Sequence, residues 1–220
     1  MSDRLLDPAP PCLAPLYTKT DHWFQRASAA LLGEVPCRLG CTSCCIGPFP
    51  ITLLDVQTLQ QGLAGLPPDQ RQRIQQRAAA QTDAMEAAFP QLTDTTLLDR
   101  WSDQEIDRLV TEFHDRPCPA LEADGCCGLY DYRPLVCRSM GIPTEHHGLA
   151  YGACEVQAFI PILRLPSALR EQEGRLAQEE AASLDTLRHA TGSTGEEVFL
   201  PYGFLLRVSP ISLVAPVSQE

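Results

Sequence analysis

The placement of ten cysteines constrains this 220-residue chain more than any other feature. Four of them form the run Cys37-x3-Cys41-x2-Cys44-Cys45. Five more follow after a gap of about 70 residues: Cys118, the adjacent pair Cys126-Cys127, Cys137 and Cys154. Cys12 stands apart, in a proline-rich segment. On a helix the first group falls at about 0°, 40°, -20° and 80°, so one side could carry all four thiols. Gly40 leaves a regular helix there unsettled. Consecutive side chains diverge, which makes Cys44 and Cys45 awkward partners on one tetrahedral ion. They suit two ions, or two atoms of one cluster, better. The remaining ligands then come from residues 118–154, and metal ties the two groups together. Neither group has the paired two-residue spacings of a zinc ribbon.

Compartment decides between disulfides and metal. The N-terminal run MSDRLLDPAPPCLAP lacks an apolar core of signal-peptide length and is interrupted by prolines. No window approaches the ~18 apolar residues of a membrane span. The expected location is cytoplasmic, where thiols stay reduced, so the cysteines read as metal ligands or redox groups. The apolar share of 44% and charged share of 20% are those of a globular chain. A net charge of -11 makes nucleic acid and anionic membranes poor partners. Metal ions are the expected partners, and the sequence points to no protein partner. Lys19 is the sole lysine, which speaks against Schiff-base chemistry, and no phosphate-binding Gly-Lys-Ser/Thr loop occurs. There is no asparagine, hence no N-glycosylation site.

The expected fold is mainly α: a small helical domain with an irregular, metal-organised core and short extended segments. Residues 1–20 read as an extended N-terminal arm, 21–165 as the cysteine-cluster domain, and 166–220 as a C-terminal helix and irregular tail packed on it. Within the domain, residues 21–33 suit a helix closed by Gly33. Residues 52–64 place Leu53, Val56, Leu59 and Leu63 on one helical face. Pro67-Pro68 opens a longer helix to about Ala88, with Ile74, Ala78, Met85 and Phe89 aligned and Pro90 as its stop. Ser102 and Glu105 form a capping box ahead of Ile106, Leu109, Val110 and Phe113. Asp124-Gly125 suggests a tight turn. Ser167 caps a helix to about Ala190, with Gly192 beyond it.

The run Cys37 to Cys45, then Cys118-Pro119, Cys127-Gly128-Leu129-Tyr130, Arg133-Pro134 and Cys137-Arg138, resembles the YkgJ-like cysteine-cluster family. That family is described as a zinc- or iron-chelating CxxCxxCC domain, and the resemblance covers roughly residues 35–155. It implies Cys37, Cys41, Cys44, Cys45, Cys118, Cys127, Cys137 and Cys154 as the family's metal-ligating cysteines. The chain departs from the pattern in having three residues between its first two cysteines, and in adding Cys126 and Cys12. Cys12 reads as a free thiol, and Cys126 as either a spare thiol or a substitute ligand.

Arg38, Arg133 and Arg138 flank the cysteines. They read either as salt-bridge partners of Asp131 and other carboxylates, or as charge compensation for a centre that four thiolates leave at -2. Arg133 and Arg138 are taken as contacts of the bound group. His146 and His147 could ligate but sit in a polar run that suits a solvated loop, and His22, His114 and His189 are weaker candidates. The leading function is a soluble metalloprotein binding zinc, iron or an iron–sulfur cluster, for metal handling or electron transfer. Enzymatic activity stays open, an iron–sulfur oxidoreductase ahead of methyl transfer. Cys37-x3-Cys41-x2-Cys44 has the radical S-adenosylmethionine spacing, and a flagellin lysine methylase contains a similar cysteine domain. Ser43 replaces that motif's usual aromatic residue, and no run of βα units follows Cys44. A third alternative is an interaction module with purely structural zinc.

Overall fold

The computed structural model describes residues 15–31, 41–146, 149–151 and 164–208. Helix α1 spans Pro15–Ala30. It begins six residues before the expected start, within the supposed extended arm. Proline at the first helical position loses no hydrogen bond, and its fixed φ suits the helix. Leu16, Thr20, Trp23 and Ala27 are buried at spacings of four, three and four. The proposed stop at Gly33 lies outside the described residues.

A short strand β1 (Pro50–Thr52) leads directly into α2 (Leu53–Gly65). Thr52 and Asp55 cap α2 reciprocally, and the expected face of Leu53, Val56, Leu59 and Leu63 is buried. Helix α3 (Pro68–Ala88) buries Ile74, Ala78 and Met85, as its periodicity requires. The one-turn α4 (Gln91–Asp94) follows Pro90. Ser102 and Glu105 form the expected capping box of α5 (Asp103–Glu112). Helix α6 (Leu135–Ser139) is five residues long, and strands β2 (Thr144–His146) and β3 (Leu149–Tyr151) pair antiparallel.

Helix α7 spans Ser167–Thr191 and ends at Gly192, which adopts φ +67°. Its cap differs from expectation. Pro166 precedes the helix, Ser167 is already its first residue, and no side chain caps it. The larger difference lies beyond. The supposed irregular tail contains a strand, β4 (Glu197–Phe199), and the one-turn α8 (Leu200–Gly203). Strand β4 pairs antiparallel with β1, Ile51 opposite Val198. Val198, Phe199, Leu200, Tyr202 and Phe204 all join the main core. Apolar residues beside prolines formed part of the interior here because two short strands satisfied their backbone groups.

The fold is therefore mainly α, with two small two-stranded antiparallel sheets among the described residues. β1 is followed by helices and pairs antiparallel with β4, so among the described residues no strand–helix alternation of a partial barrel follows Cys44. Trp101 stacks near Phe89 and edge-on to Phe199, at 6.1 and 5.8 Å between ring centres. A second core joins Trp23, Ala27 and Leu31 to Ile142 and Leu165, and Trp23 Nε1 donates to the Leu169 carbonyl at 2.9 Å. No helix among the described residues is long and apolar enough to cross a membrane.

Asp55 joins three helices. Its buried carboxylate accepts from Tyr17 Oη on α1 at 3.0 Å, and from the Leu135 N–H on α6 at 2.9 Å. Burial raises its pKa, while these donors oppose that rise. Beside it lies a cavity of about 350 Å³ with an apolar wall of Leu16, Trp23, Ile51, Leu135 and Leu176. Glu173, Glu180 and Glu197 also line it. Burial, with Asp55 and Glu197 nearby, pushes Glu180 up to about 7.

Candidate metal centre

The two cysteine groups meet through their backbones. Ser43–Cys45 forms one 3-10 turn, and Cys45 N–H donates to the Thr42 carbonyl at 2.8 Å. The next residues lie against the strand-like stretch before Cys118. Ile46 bridges Pro117, Cys118 N–H donates to the Cys45 carbonyl, and Gly47 N–H donates to the Arg116 carbonyl, both at 2.7 Å. Gly47 adopts φ +86° and a side chain there would press on the His114 carbonyl at 3.3 Å, so glycine fits this join. Backbone hydrogen bonds therefore tie the groups together before any metal is considered.

Cys118 begins a hairpin that returns at Cys127. Leu121 bridges Cys127, Gly128 N–H donates to the Ala120 carbonyl, and Glu122 N–H donates to the Cys126 carbonyl. The turn is the expected Asp124-Gly125. Gly125 adopts φ +81°, and Asp124 Oδ1 accepts from Cys126 N–H at 2.9 Å. This geometry separates the adjacent pair: Cys126 is exposed and Cys127 half-buried. The chain then makes a 3-10 turn at Tyr130–Tyr132 and enters α6, which carries Cys137. Tyr132 packs on α2 at Gly62, where an added Cβ would lie 2.6 Å from the ring. Only a glycine lets the helix backbone approach so closely.

Cys44, Cys45, Cys118, Cys127 and Cys137 act on one another electrostatically. Burial is the main force on Cys118, pushed up to about 12, and on Cys127 and Cys137, both raised. Cys44 goes the other way, to about 6. The Cys45 thiol donates to it, burial opposes, and the Arg133 cation assists. Cys45 is raised in consequence. In metal-free, reduced protein, iodoacetamide should modify Cys44 before Cys45, Cys118 and Cys137 at pH 7. Peptide mass mapping should show Cys44 labelling slowed about tenfold at pH 5, as its thiolate takes up a proton. A Cys44 rate that stays flat from pH 5 to 7 contradicts this.

Cys41 Sγ lies 4.0 Å from Ser43 Oγ and is half-buried. Cys12, Cys37, Arg38, His147 and Cys154 lie outside the described residues. Among the described residues, no three Cys, His, Asp or Glu side chains converge closely enough to hold a metal ion. The donor chemistry fits zinc or iron, since thiols are ligands of both and backbone bonds bring Cys45 and Cys118 side by side. The described positions do not by themselves close a coordination sphere. His114 and His189 turn their Nδ1 atoms to backbone carbonyls of Thr111 and Asp185, three and four residues earlier.

The two arginines taken as contacts of the bound group play different parts. Arg138 is buried, at 1% exposure. It pairs with Asp21 of α1, and donates to the Asp131 and Arg133 carbonyls. Arg133 reaches Asp21 at 3.1 Å, stacks on Tyr130 with its guanidinium 3.9 Å from the ring centre, and lowers both Cys44 and Cys127. The salt-bridge partner is thus Asp21, while Asp131 offers its backbone. Sequence reasoning placed α3 but missed its contact with the Cys118 hairpin. Its Gln81 Nε2 and Arg77 Nη1 donate to the Pro117 and Leu121 carbonyls, each at 2.7 Å. Gln81 and Arg77 are four residues apart on one helical face, which was the available signal.

A helical body that gathers thiols from a tight turn, a hairpin and a short helix defines a cysteine-cluster protein. Residues 36–155, more than half of the chain, match the CxxCxxCC family model, described as a zinc- or iron-chelating domain, and the chain belongs to that family. That description is itself a proposed role for the family. No curated protein and no solved structure matches the chain.

Proposed function

We propose that this protein binds zinc or iron through cysteine thiolates, with Cys44, Cys45, Cys118, Cys127 and Cys137 as its central ligands. Cys37, Cys41 and Cys154 complete the set that the family pattern marks. The observation that carries this reading is the direct backbone join of the two cysteine groups, with the Cys118 N–H donating to the Cys45 carbonyl at 2.7 Å. Buried neutral thiols gain little as a group, whereas thiolates around a cation exchange their protons for metal bonds. Zinc held by four thiolates is structural, and iron with sulfide adds electron transfer. The chain's own part is to hold the sulfurs in place. The Cys45–Cys118 backbone bond fixes two segments, and the Asp55–Leu135 bond fixes the start of the Cys137 helix. The helical course after Cys44 gives the methyl-transfer alternative no support.

Anaerobic purification followed by metal and sulfide analysis tests this. The expected result is stoichiometric zinc, or iron with acid-labile sulfide and absorbance near 400 nm. Cys137→Ser and Cys127→Ser should lower metal content sharply, while Cys126→Ser and Cys12→Ser leave it unchanged. Wild-type protein that neither retains nor takes up zinc or iron under reducing conditions overturns the reading.

A further inference from the structure

The cavity of about 350 Å³ beside Asp55 is bounded by residues of α1, α2, α6 and α7. Small-molecule sites have volumes of roughly 300–1,000 Å³ and are mostly apolar, with a few polar groups that fix the ligand. Leu16, Trp23, Ile51, Leu135 and Leu176 supply the apolar wall here. Trp23 Nε1 is already taken by the Leu169 carbonyl, so the ring offers the cavity carbon surface. Most polar groups of the lining are taken too. Asp55 accepts from Tyr17 and the Leu135 N–H, Thr20 Oγ1 donates to the Leu16 carbonyl, and Glu173 pairs with Arg170.

Glu180 differs. Among the described residues its carboxylate has no hydrogen bond and no ion pair, and the charges that act on it, Asp55 and Glu197, share its sign. No lysine, arginine or histidine of the described residues lines the cavity. A half-buried carboxylate without a counter-charge opposes folding, and proteins keep such groups where function uses them.

We propose that this cavity binds a small organic cation, a primary ammonium on an apolar body, with the ammonium on Glu180 and the body against Trp23 and Leu176. An anion would meet carboxylates only. A neutral apolar molecule would cover Glu180 and leave it unpaired. A bare divalent cation wants a shell of about six oxygens, which a wall of carbon does not supply. An ammonium brings three donors and the missing charge. The site contains no cysteine, so it stands or falls apart from the thiolate reading.

The probe is 2-phenylethylamine, with 2-phenylethanol and 3-phenylpropionate as its neutral and anionic counterparts. The full chain, purified anaerobically, is titrated with each by calorimetry and by NMR of its two tryptophan indole N–H signals. At pH 8 Glu180 is ionised and the amine still protonated. The amine should bind with a Kd below about 1 mM and shift the Trp23 signal but not that of Trp101. The alcohol should bind at least about tenfold more weakly, and the carboxylate more weakly still. Glu180→Gln should weaken the amine about 10–100-fold, the worth of a charge-assisted bond. Glu179→Gln, which removes the exposed partner of Lys19 from the same helix, should leave the affinity unchanged. Equal binding of amine and alcohol, full affinity in Glu180→Gln, an equal loss in Glu179→Gln, or no shift of Trp23 up to about 10 mM amine each overturns the proposal.

Discussion

Arg138→Met destabilises the protein by about 3–5 kcal/mol, the usual cost of breaking a buried ion pair from one side. The methionine keeps the length of the stem but none of its donors. Arg138 is 1% exposed and serves Asp21 together with the Asp131 and Arg133 carbonyls. Its loss leaves two carbonyls short of a donor, and leaves Asp21 with Arg133 alone. It also releases α6, which contains Cys137, from its tie to α1. Asp21→Asn, which keeps an acceptor oxygen, should cost less, about 1–3 kcal/mol. Urea unfolding followed by tryptophan fluorescence measures both. A loss below about 1 kcal/mol for Arg138→Met means that the network is not structural.

Glu180→Gln has the opposite sign, and its effect depends on pH. Glu180 is half-buried beside the cavity, with Asp55 and Glu197 near it, and its folded pKa stands at about 7 against an ordinary 4.5. A carboxyl whose folded pKa is raised binds its proton more tightly in the native state. It costs nothing below about pH 4.5, opposes folding increasingly up to about pH 7, and then levels off. Glutamine keeps the shape and stays neutral. The substitution should therefore stabilise the protein by on the order of 1–3 kcal/mol at pH 8 and change it by less than about 0.5 kcal/mol at pH 4. Denaturant midpoints of both proteins, compared at each pH, give the answer. Equal gains at the two pH values would falsify the electrostatic origin.

The elements legible in the sequence were those whose own residues dictate them. Helices α2 and α3 repeat apolar residues every three to four positions, Ser102 and Glu105 cap α5 through adjacent atoms, and Gly192 takes the left-handed conformation that ends α7. What stayed hidden depends on distant partners. Pro50–Thr52 and Glu197–Phe199 become strands because each completes the other, and three residues carry too little alternation to announce it. Arg138 sits beside a cysteine in sequence but answers to Asp21, across 117 residues. Arg77 lies far from every cysteine in sequence, so proximity along the chain could not single it out. The cysteine positions were legible as a cluster, because spacing shows grouping.

The pairing of β1 with β4 joins Pro50 to Phe199 and so governs the order in which the protein can be finished on the ribosome. Both cysteine groups have been synthesised, and have left the exit tunnel or are leaving it, before Val198 and Phe199 exist to cover α2. Until then the floor beneath the thiols is an unfinished core with Val56 and Leu59 lacking their partners. Contacts this distant in the chain form late and slowly. The nascent polypeptide therefore carries the apolar face of α2 uncovered for the whole stretch between residues 65 and 197. Closure of the core over α2 therefore waits until the segment around residues 197–204 has paired.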